Sequence, residues 1–226
     1  MSITSAAGKT LHRRSALLQA NIDVLGQKLG LITALRKTLG PNQANICFAK
    51  NCPVVGASIG QHFRHNMDHL ERVANIIEVE KEGNGDEDGV SPEIHYDVRV
   101  RGGSDEHDID EAEARIRQVT QPFQEVIDTI LPNSLTGNTA DDTKAYYNNN
   151  TVLACFMLSG DPTEDEFMLP STVDRELGFV AHHAIHHLAM VKIITIHTLK
   201  LLPPDALPEG FGKALSTIVY DHSQHQ

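Results

Sequence analysis

Histidine is the residue type with the most chemical potential in this sequence, which holds 13 histidines among 226 residues. The stretch "FVAHHAIHHLAMV", from Phe179 to Val191, places four of them within six positions of an otherwise apolar segment. A buried imidazole needs water, a hydrogen-bonding group or a metal ion as a partner, because burying it alone is costly. Two imidazoles four residues apart on a helix can bind one metal ion from the same face.

Helical rotation of about 100° per residue sorts these four histidines. Three apolar residues define the direction that we expect to be buried: Met190, Ile194 and Leu201. His183 and His187 lie close to that direction, whereas His182 lies beside Lys200 and His186 lies at the margin. The sequence therefore predicts that His183 and His187 face inward as a pair and that His182 contacts water.

A second segment, "SIGQHFRHNMDHLERV", carries His62, His65 and His69 along one helical stripe. Two ligands do not complete a metal site, and helical bundles commonly build such sites from side chains on facing helices. Rotation favours His62 or His69 as the third ligand, because these two lie nearer the apolar centre of this segment, which is formed by Phe63, Met67 and Leu70. The alternative is a core-edge histidine bonded to a carbonyl or carboxylate, which we prefer for His62, His182 and His186.

The elements that must position these residues are mostly helical. Apolar periodicity and turn residues predict helices at about Leu11–Leu39, Ser58–Glu78, 108–130, from near Ser171 to before Pro203, and at about Phe211–His222, with strand-like segments at 94–101 and 151–158. We expect an all-α fold, a four-helix bundle with long crossover connections, an additional short C-terminal helix and minor strand segments. Residues 1–226 are predicted to form one domain, with an acidic mobile loop at about 79–93.

Composition limits the kinds of partner. The formal charge of −11 repels the phosphate backbone, which argues against nucleic-acid binding. We find no run of about 18 apolar residues that would predict a membrane span, and no secretory signal. Three cysteines suit a reducing compartment, so we expect a cytoplasmic protein. Cys47 and Cys52 have a spacing found in metal sites, but no second pair accompanies them, and unpaired loop cysteines are the simpler interpretation.

Two motifs resemble the DinB/YfiT-like superfamily: "SIGQHFRH" is similar to its second-helix pattern and "HAIHH" to the His-x-x-His-His core of a later helix. The segments "YDVRVR", "RELGFVAHHAIHH" and "GFGKALST" resemble an uncharacterised DinB-like branch. The resemblance implies a metal triad of His65, His183 and His187. It also implies a small-molecule substrate and a homodimer. Members of the superfamily include S-transferases and isomerases that use low-molecular-weight thiols.

Other polar residues are candidates for supporting roles. Glu176 lies on the same face as His183 and could orient a ligand imidazole, although a carboxylate in a first helical turn is favoured there in any case. Tyr96, Arg99 and Arg101 are candidates for substrate binding, the alternative being a solvated strand face with paired charges.

Three functions remain open, the first of which is implied by the resemblance. The first is a metal-dependent transferase that uses a small thiol, the second a non-enzymatic metal-binding or dimerisation module, and the third a metal-activated-water hydrolase. We expect one divalent ion per chain, namely zinc, nickel or iron, since the donor set does not separate these metals.

Overall fold

A computed structural model describes residues 6–81, 91–98, 102–136, 151–161 and 163–224. These residues are mostly helical and include a small three-stranded sheet, which confirms the mostly-α prediction. The α-helices are α1 (Ala6–Leu39), α2 (Pro41–Phe48), α3 (Ile59–Lys81), α4 (Ile109–Thr136), α5 (Val173–Lys192) and α6 (Leu215–Ser223). A π-helical segment, Ile193–Thr198, follows α5, and Ser104–Glu106 and Pro204–Ala206 are short 3-10 helices. The four-helix bundle itself stays a prediction.

The sheet consists of β1 (Glu93–His95), β2 (Thr151–Phe156) and β3 (Phe167–Thr172), in that order. β1 pairs parallel with β2, and β2 pairs antiparallel with β3. Ile94 on β1, with Val152 and Ala154 on β2, is buried. Side chains alternate along a strand. The residues next to Ile94, Val152 and Ala154 along β1 and β2 therefore have their side chains on the opposite face of the sheet.

The observed elements differ from the prediction at several boundaries. Gly40 ends α1 with a φ of 77°, but Pro41 then begins the new helix α2 where a loop was expected, since proline suits a first helical position. α4 runs past Ile130, the expected end, and through Pro132 to Thr136. β3 was not predicted, because it is ordered by pairing with β2, which lies elsewhere in the sequence. Residues 82–90, most of the predicted acidic loop, lie outside the described residues, as do 99–101 and 137–150.

The chain divides into two compact units, and α1, α3, α4 and α5 each contribute residues to both. The first unit comprises Met1–Ile22, Asp68–Arg99 and Val119–Val180. It contains the sheet and a core with the following buried residues: Leu18, Val73, Ile94, Tyr96, Phe123, Val152 and Leu177. Arg14 on α1 forms a buried ion pair with Asp174 on α5, which joins these two helices within the unit.

The second unit comprises Asp23–Met67, Val100–Gln118 and Ala181–Gln226. Its core includes Leu25, Leu31, Leu35, Phe48, Phe63, Ile116, Leu188 and Phe211. Gly212 has a φ of 64°, and a Cβ there would lie 2.8 Å from the backbone nitrogen of Ala189. The Gly212 amide donates to Gln27 Oε1 at 2.9 Å. This close approach requires glycine and fixes the C-terminal segment against α1 and α5.

The segment Val173–Thr198 is long and apolar enough to cross a membrane by length and composition alone. No such segment was expected from the sequence. A core helix of a protein outside the membrane passes the same test, and six apolar residues of this segment from Val173 to Leu188 are buried: Val173, Leu177, Val180, Ala181, Ala184 and Leu188. The predicted absence of a membrane partner stays a prediction.

Candidate metal centre

The start of α3 is fixed one turn before its first histidine. The Ser58 amide donates to Gln61 Oε1 and the Gln61 amide donates to Ser58 Oγ, both at 3.0 Å. This reciprocal capping pair satisfies backbone donors that a helix start leaves open. At Gly60 an added Cβ would lie 2.1 Å from the backbone oxygen of Glu106, so the helix packs there through bare backbone. Both features set the rotation at which His62 and His65 project.

The start of α5 is set by its own cap. Thr172 Oγ1 accepts a hydrogen bond from the Arg175 amide at 3.2 Å, and Asp174 and Glu176 lie in the first turn. A hydroxyl cap and acidic residues are both favoured at a helix N-terminus. His183 and His187 then follow as half-buried residues, while His182 and His186 are exposed. The predicted exposure of His182 is confirmed; His183 and His187 are less exposed than His182, and His186, which was placed at the margin, is exposed as well.

The phase of α5 nevertheless differs from the expected one. Its most buried stripe is formed by Leu177, Ala184, Leu188 and Val191, whereas Met190 is only half-buried. At about 100° per residue, His183 and His187 lie roughly 60–100° to one side of Ala184. The two histidines therefore flank the apolar stripe instead of lying in it, which leaves space for polar partners without interrupting the core.

Four imidazoles meet in the second unit, from His62 and His65 on α3 and His183 and His187 on α5. The ring centroids of His183 and His187 are 4.5 Å apart, and that of His65 lies 4.7 Å from His187 and 5.1 Å from His183. His62 lies 5.2 Å from His187 by the same measure. We call these four residues the histidine cluster.

His65 Nε2 on α3 lies 3.2 Å from His183 Nε2 on α5. Two nitrogens bound to one tetrahedral zinc at about 2.0–2.1 Å each would be about 3.3 Å apart. The observed separation therefore fits two ligands of one ion. A group of histidines that could hold a metal ion is present, and His65 and His183 belong to it.

His62 contributes a contact that was not expected from the sequence. Its Nδ1 lies 2.9 Å from Nδ1 of His187, the distance of an N–H···N hydrogen bond between two neutral rings. His62 Nε2 is buried and has no hydrogen-bond partner among the described residues. The carbonyl or carboxylate partner expected for this histidine is thus replaced by another imidazole. The stripe shared with His65 was the available signal, but it could not specify the partner.

Burial favours the neutral form of two histidines in the cluster. Burial, together with His183, His65, His62 and His186, lowers the pKa of His187 to about 2. Burial and the neighbouring His186 also lower the pKa of His62. Neutral imidazole is the form that binds a metal ion, because its lone pair is available. At neutral pH a cation can therefore bind His187 without first displacing a proton.

The other candidate residues have different surroundings. Tyr96 is buried and donates to Glu176 Oε2 at 2.7 Å. The second oxygen of Glu176 accepts from the Ser171 hydroxyl and from the Arg175 guanidinium, so both carboxylate oxygens have partners other than an imidazole. His69 stacks on Tyr96 with ring centroids 5.0 Å apart. Arg99 and Arg101 lie outside the described residues.

The two cysteines with a metal-site spacing are not bonded to each other: Cys47 and Cys52 are both buried free thiols. Cys47 lies on α2, and Cys52 lies in the turn that follows, where its carbonyl accepts from the Gly56 amide at 2.8 Å. Neither cysteine belongs to the groups of potential metal ligands among the described residues.

Comparisons with protein-family models, with curated proteins and with solved structures return no match to this chain.

Proposed function

We propose that this chain is a DinB-like protein that binds one divalent ion through His65, His183 and His187 and acts as a metal-dependent transferase with a small thiol. The observation that carries the proposal is the 3.2 Å approach of His65 Nε2 to His183 Nε2, from α3 and α5. The sequence resemblance supports both the family and the use of a thiol. The ion is zinc, nickel or iron.

His187 is proposed as the third ligand for two reasons. It shares a face of α5 with His183, one helical turn away, and its ring is adjacent to both His183 and His65. The competing residue, His69, is held against Tyr96 by ring stacking and is also close to the side chain of Phe179. His69 therefore has a packing role that His187 does not share.

His62 is proposed as a positioning residue for His187. A metal-binding histidine almost always donates its second ring N–H to a neighbouring acceptor, which fixes the ring orientation. His187 Nδ1–H donating to His62 Nδ1, at the observed 2.9 Å, leaves His187 Nε2 for the ion. This assignment also explains why a second histidine of α3 lies so close to the ligand pair.

The proposed chemistry follows from the neutral donor set. When bound, a divalent ion with three imidazole ligands keeps a position for a substrate thiol and lowers the pKa of that thiol. The half-buried imidazoles hold this position at the flank of an apolar stripe, where a small organic thiol can bind. A hydrolase would require a free general base, and the oxygens of Glu176 already accept bonds from Tyr96, Ser171 and Arg175. These contacts support the transferase over the hydrolase.

Two measurements test the proposal. Elemental analysis of protein incubated with zinc, nickel or iron should find one equivalent of ion fewer in the double variant His65→Ala/His183→Ala than in wild type. Equal metal content in both proteins would contradict the histidine site.

The use of a thiol is tested in a variant whose three cysteines, Cys47, Cys52 and Cys155, are replaced by serine. After loading with Co²⁺, the only thiol sulfur that can reach the ion is that of an added low-molecular-weight thiol. We expect a thiolate-to-cobalt charge-transfer band that rises with thiol concentration and that is absent from the same variant carrying His183→Ala. A cobalt spectrum that shows no response to the thiol would leave a metal-binding module without transferase function.

A further inference from the structure

The solvent-side face of the sheet gathers a second set of metal-binding side chains, all within the first unit. Glu93 and His95 alternate with buried Ile94 on β1 and so project to the same face. Cys155 on β2 is the register partner of His95, and it pairs on its other side with Met168 of β3. Glu166, two residues before Met168, directly precedes the first residue of β3. Strand pairing thus places an imidazole, a thiol and two carboxylates together.

The contacts among these four side chains are specific. Nδ1 of His95 lies 2.5 Å from Glu166 Oε2, and Nε2 of His95 lies 3.0 Å from Glu93 Oε2. Donor atoms of Glu93, His95 and Cys155 lie within 4.8 Å of one another. We call these four residues the sheet-face cluster.

Two features of the sheet-face cluster point to a cation. Glu166 Oε1 is buried and has no hydrogen-bond partner among the described residues, although its other oxygen is bonded to His95. Cys155 is fully buried, and its thiol makes a long contact of 3.8 Å with the Leu153 carbonyl oxygen. A buried carboxylate oxygen without a donor is costly, and a positive charge would offset that cost.

We propose that the sheet-face cluster is a second metal site, in which Cys155 Sγ, His95 Nε2 and Glu93 bind a zinc-type ion. Thiolate, imidazole and carboxylate are the ligand types of Zn²⁺. Glu166 accepts the Nδ1–H of His95 and so fixes the ring, the arrangement in which a carboxylate orients a metal-binding histidine. On binding, Cys155 releases its thiol proton and any proton on His95 Nε2 is displaced, both to solvent. The bound ion joins β1 to β2 and, through Glu166, to the start of β3.

The sulfur ligand distinguishes this site from the histidine cluster. The test therefore uses the double variant His65→Ala/His183→Ala, in which the histidine cluster has lost two donors, and titrates it with Co²⁺. We expect one equivalent to bind and to produce a near-ultraviolet thiolate-to-cobalt band, because Cys155 is a ligand. Adding Cys155→Ser should abolish the band, while Cys47→Ser or Cys52→Ser, as matched controls, should leave it unchanged.

Two further variants keep the test decisive if Cys155→Ser lowers the folded fraction. In the same background, His95→Gln retains the thiol but removes the imidazole ligand and should reduce the band amplitude at limiting cobalt severely. Glu166→Gln should weaken the affinity about 10–100-fold, as loss of an orienting partner does. Absence of the band in the double variant, or its survival in folded Cys155→Ser or His95→Gln protein, would overturn the second site. The proposed histidine site would be unaffected by that result, since it contains no sulfur.

Discussion

The histidine cluster and the sheet-face cluster solve the same problem, gathering metal-binding side chains, in different ways. The histidine cluster uses one donor type on two helices, and each helix supplies residues three or four positions apart. The sheet-face cluster uses three donor types from three segments that lie far apart in the sequence, at Glu93–His95, Cys155 and Glu166. Helical spacing groups the histidines of the first set within each helix, whereas only strand register groups the second set.

The two clusters also shift the pKa of a histidine in opposite directions. Burial and neighbouring imidazoles lower the pKa of His187 to about 2, which keeps it neutral. The hydrogen bond to Glu166, with the charge of Glu93, raises the pKa of His95, which favours the protonated ring. A metal ion therefore competes with few protons at His187 and with more at His95. We expect metal affinity at the sheet to depend more steeply on pH.

The largest expected effect separates neighbouring histidines of α5. His183→Ala removes an imidazole whose Nε2 lies 3.2 Å from His65 Nε2, so metal affinity at the histidine cluster should fall by more than the roughly 10–100-fold that loss of an orienting partner costs. His182→Ala is the matched control, because His182 is exposed and its loss should change stability by less than about 0.5 kcal/mol. Zinc titration with a competing chelator measures both. Equal losses of zinc affinity in the two variants would show that His182 contributes to metal binding although it is exposed.

The second prediction concerns the third ligand of the histidine cluster. His187→Ala and His65→Ala should lower metal affinity to a similar extent, whereas His69→Ala should leave most of it and reduce stability through lost stacking on Tyr96. His62→Gln retains a hydrogen-bonding side chain, and it should lower metal affinity by an intermediate factor of about 10–100. Calorimetric titration at pH 7 ranks the four variants. If His69→Ala loses the ion and His187→Ala keeps it, the group His65, His69 and His183 is the true ligand set.

Much of the fold follows from helical periodicity in the sequence. The long helices α1, α3 and α5 are set by apolar spacing and by Ser58, Thr172 and Gly40, whose local chemistry is visible in the sequence. β3 was missed because its residues Phe167–Thr172 are partly exposed and are ordered by pairing with β2, which no local pattern encodes. α2 was missed because a helix of eight residues gives too short a periodic signal.

The candidate site was predictable to the same extent. Exposure of His182 and partial burial of His183 and His187 followed from rotation, even though the assumed buried direction was displaced from the stripe around Ala184. The contact of His62 with His187 depends on how α3 is rotated against α5 within the second unit, which spacing on one helix cannot specify. The pairing of Cys155 with His95 depends on strand register, which no local sequence pattern indicates.

The third prediction uses the lowered pKa of His187 in metal-free protein. A histidine whose pKa is near 2 when folded and about 6.5 when unfolded contributes stability that is full above pH 6.5. That contribution is lost as the pH falls below 6.5, because the unfolded chain takes up the proton first. His187→Gln should therefore reduce the slope of unfolding free energy against pH, by up to about 1.4 kcal/mol per pH unit. Urea unfolding between pH 4 and 7 in chelator provides the measurement, and an unchanged slope would contradict the prediction.

The fourth prediction tests whether Tyr96, the residue that follows β1, has a structural role. Tyr96→Phe removes the hydrogen bond to buried Glu176 and should cost about 1–3 kcal/mol of unfolding free energy. Tyr220→Phe is the matched control, because Tyr220 is exposed on α6. Metal content at both clusters should be unchanged in either variant. If Tyr96→Phe instead leaves stability unchanged and weakens thiol binding, Tyr96 is a substrate-binding residue.

The smallest expected effect is the mirror image of the His187 prediction and lies in the sheet-face cluster. In metal-free protein the hydrogen bond to Glu166 raises the pKa of His95 above its unfolded value of about 6.5. Its contribution to stability is therefore full below pH 6.5 and is lost as the pH rises through the folded pKa. Since 39% of the His95 side chain is exposed, solvent screens the ion pair and the contribution should not exceed about 1 kcal/mol.

His95→Gln and Glu166→Gln should each remove this contribution to stability. The double variant should lose no more stability than either single variant, because both substitutions delete the same pair. Urea unfolding between pH 5.5 and 8.5 measures this difference. If the losses in the two single variants add in the double variant, the two residues act independently and the sheet-face cluster is not a coupled unit.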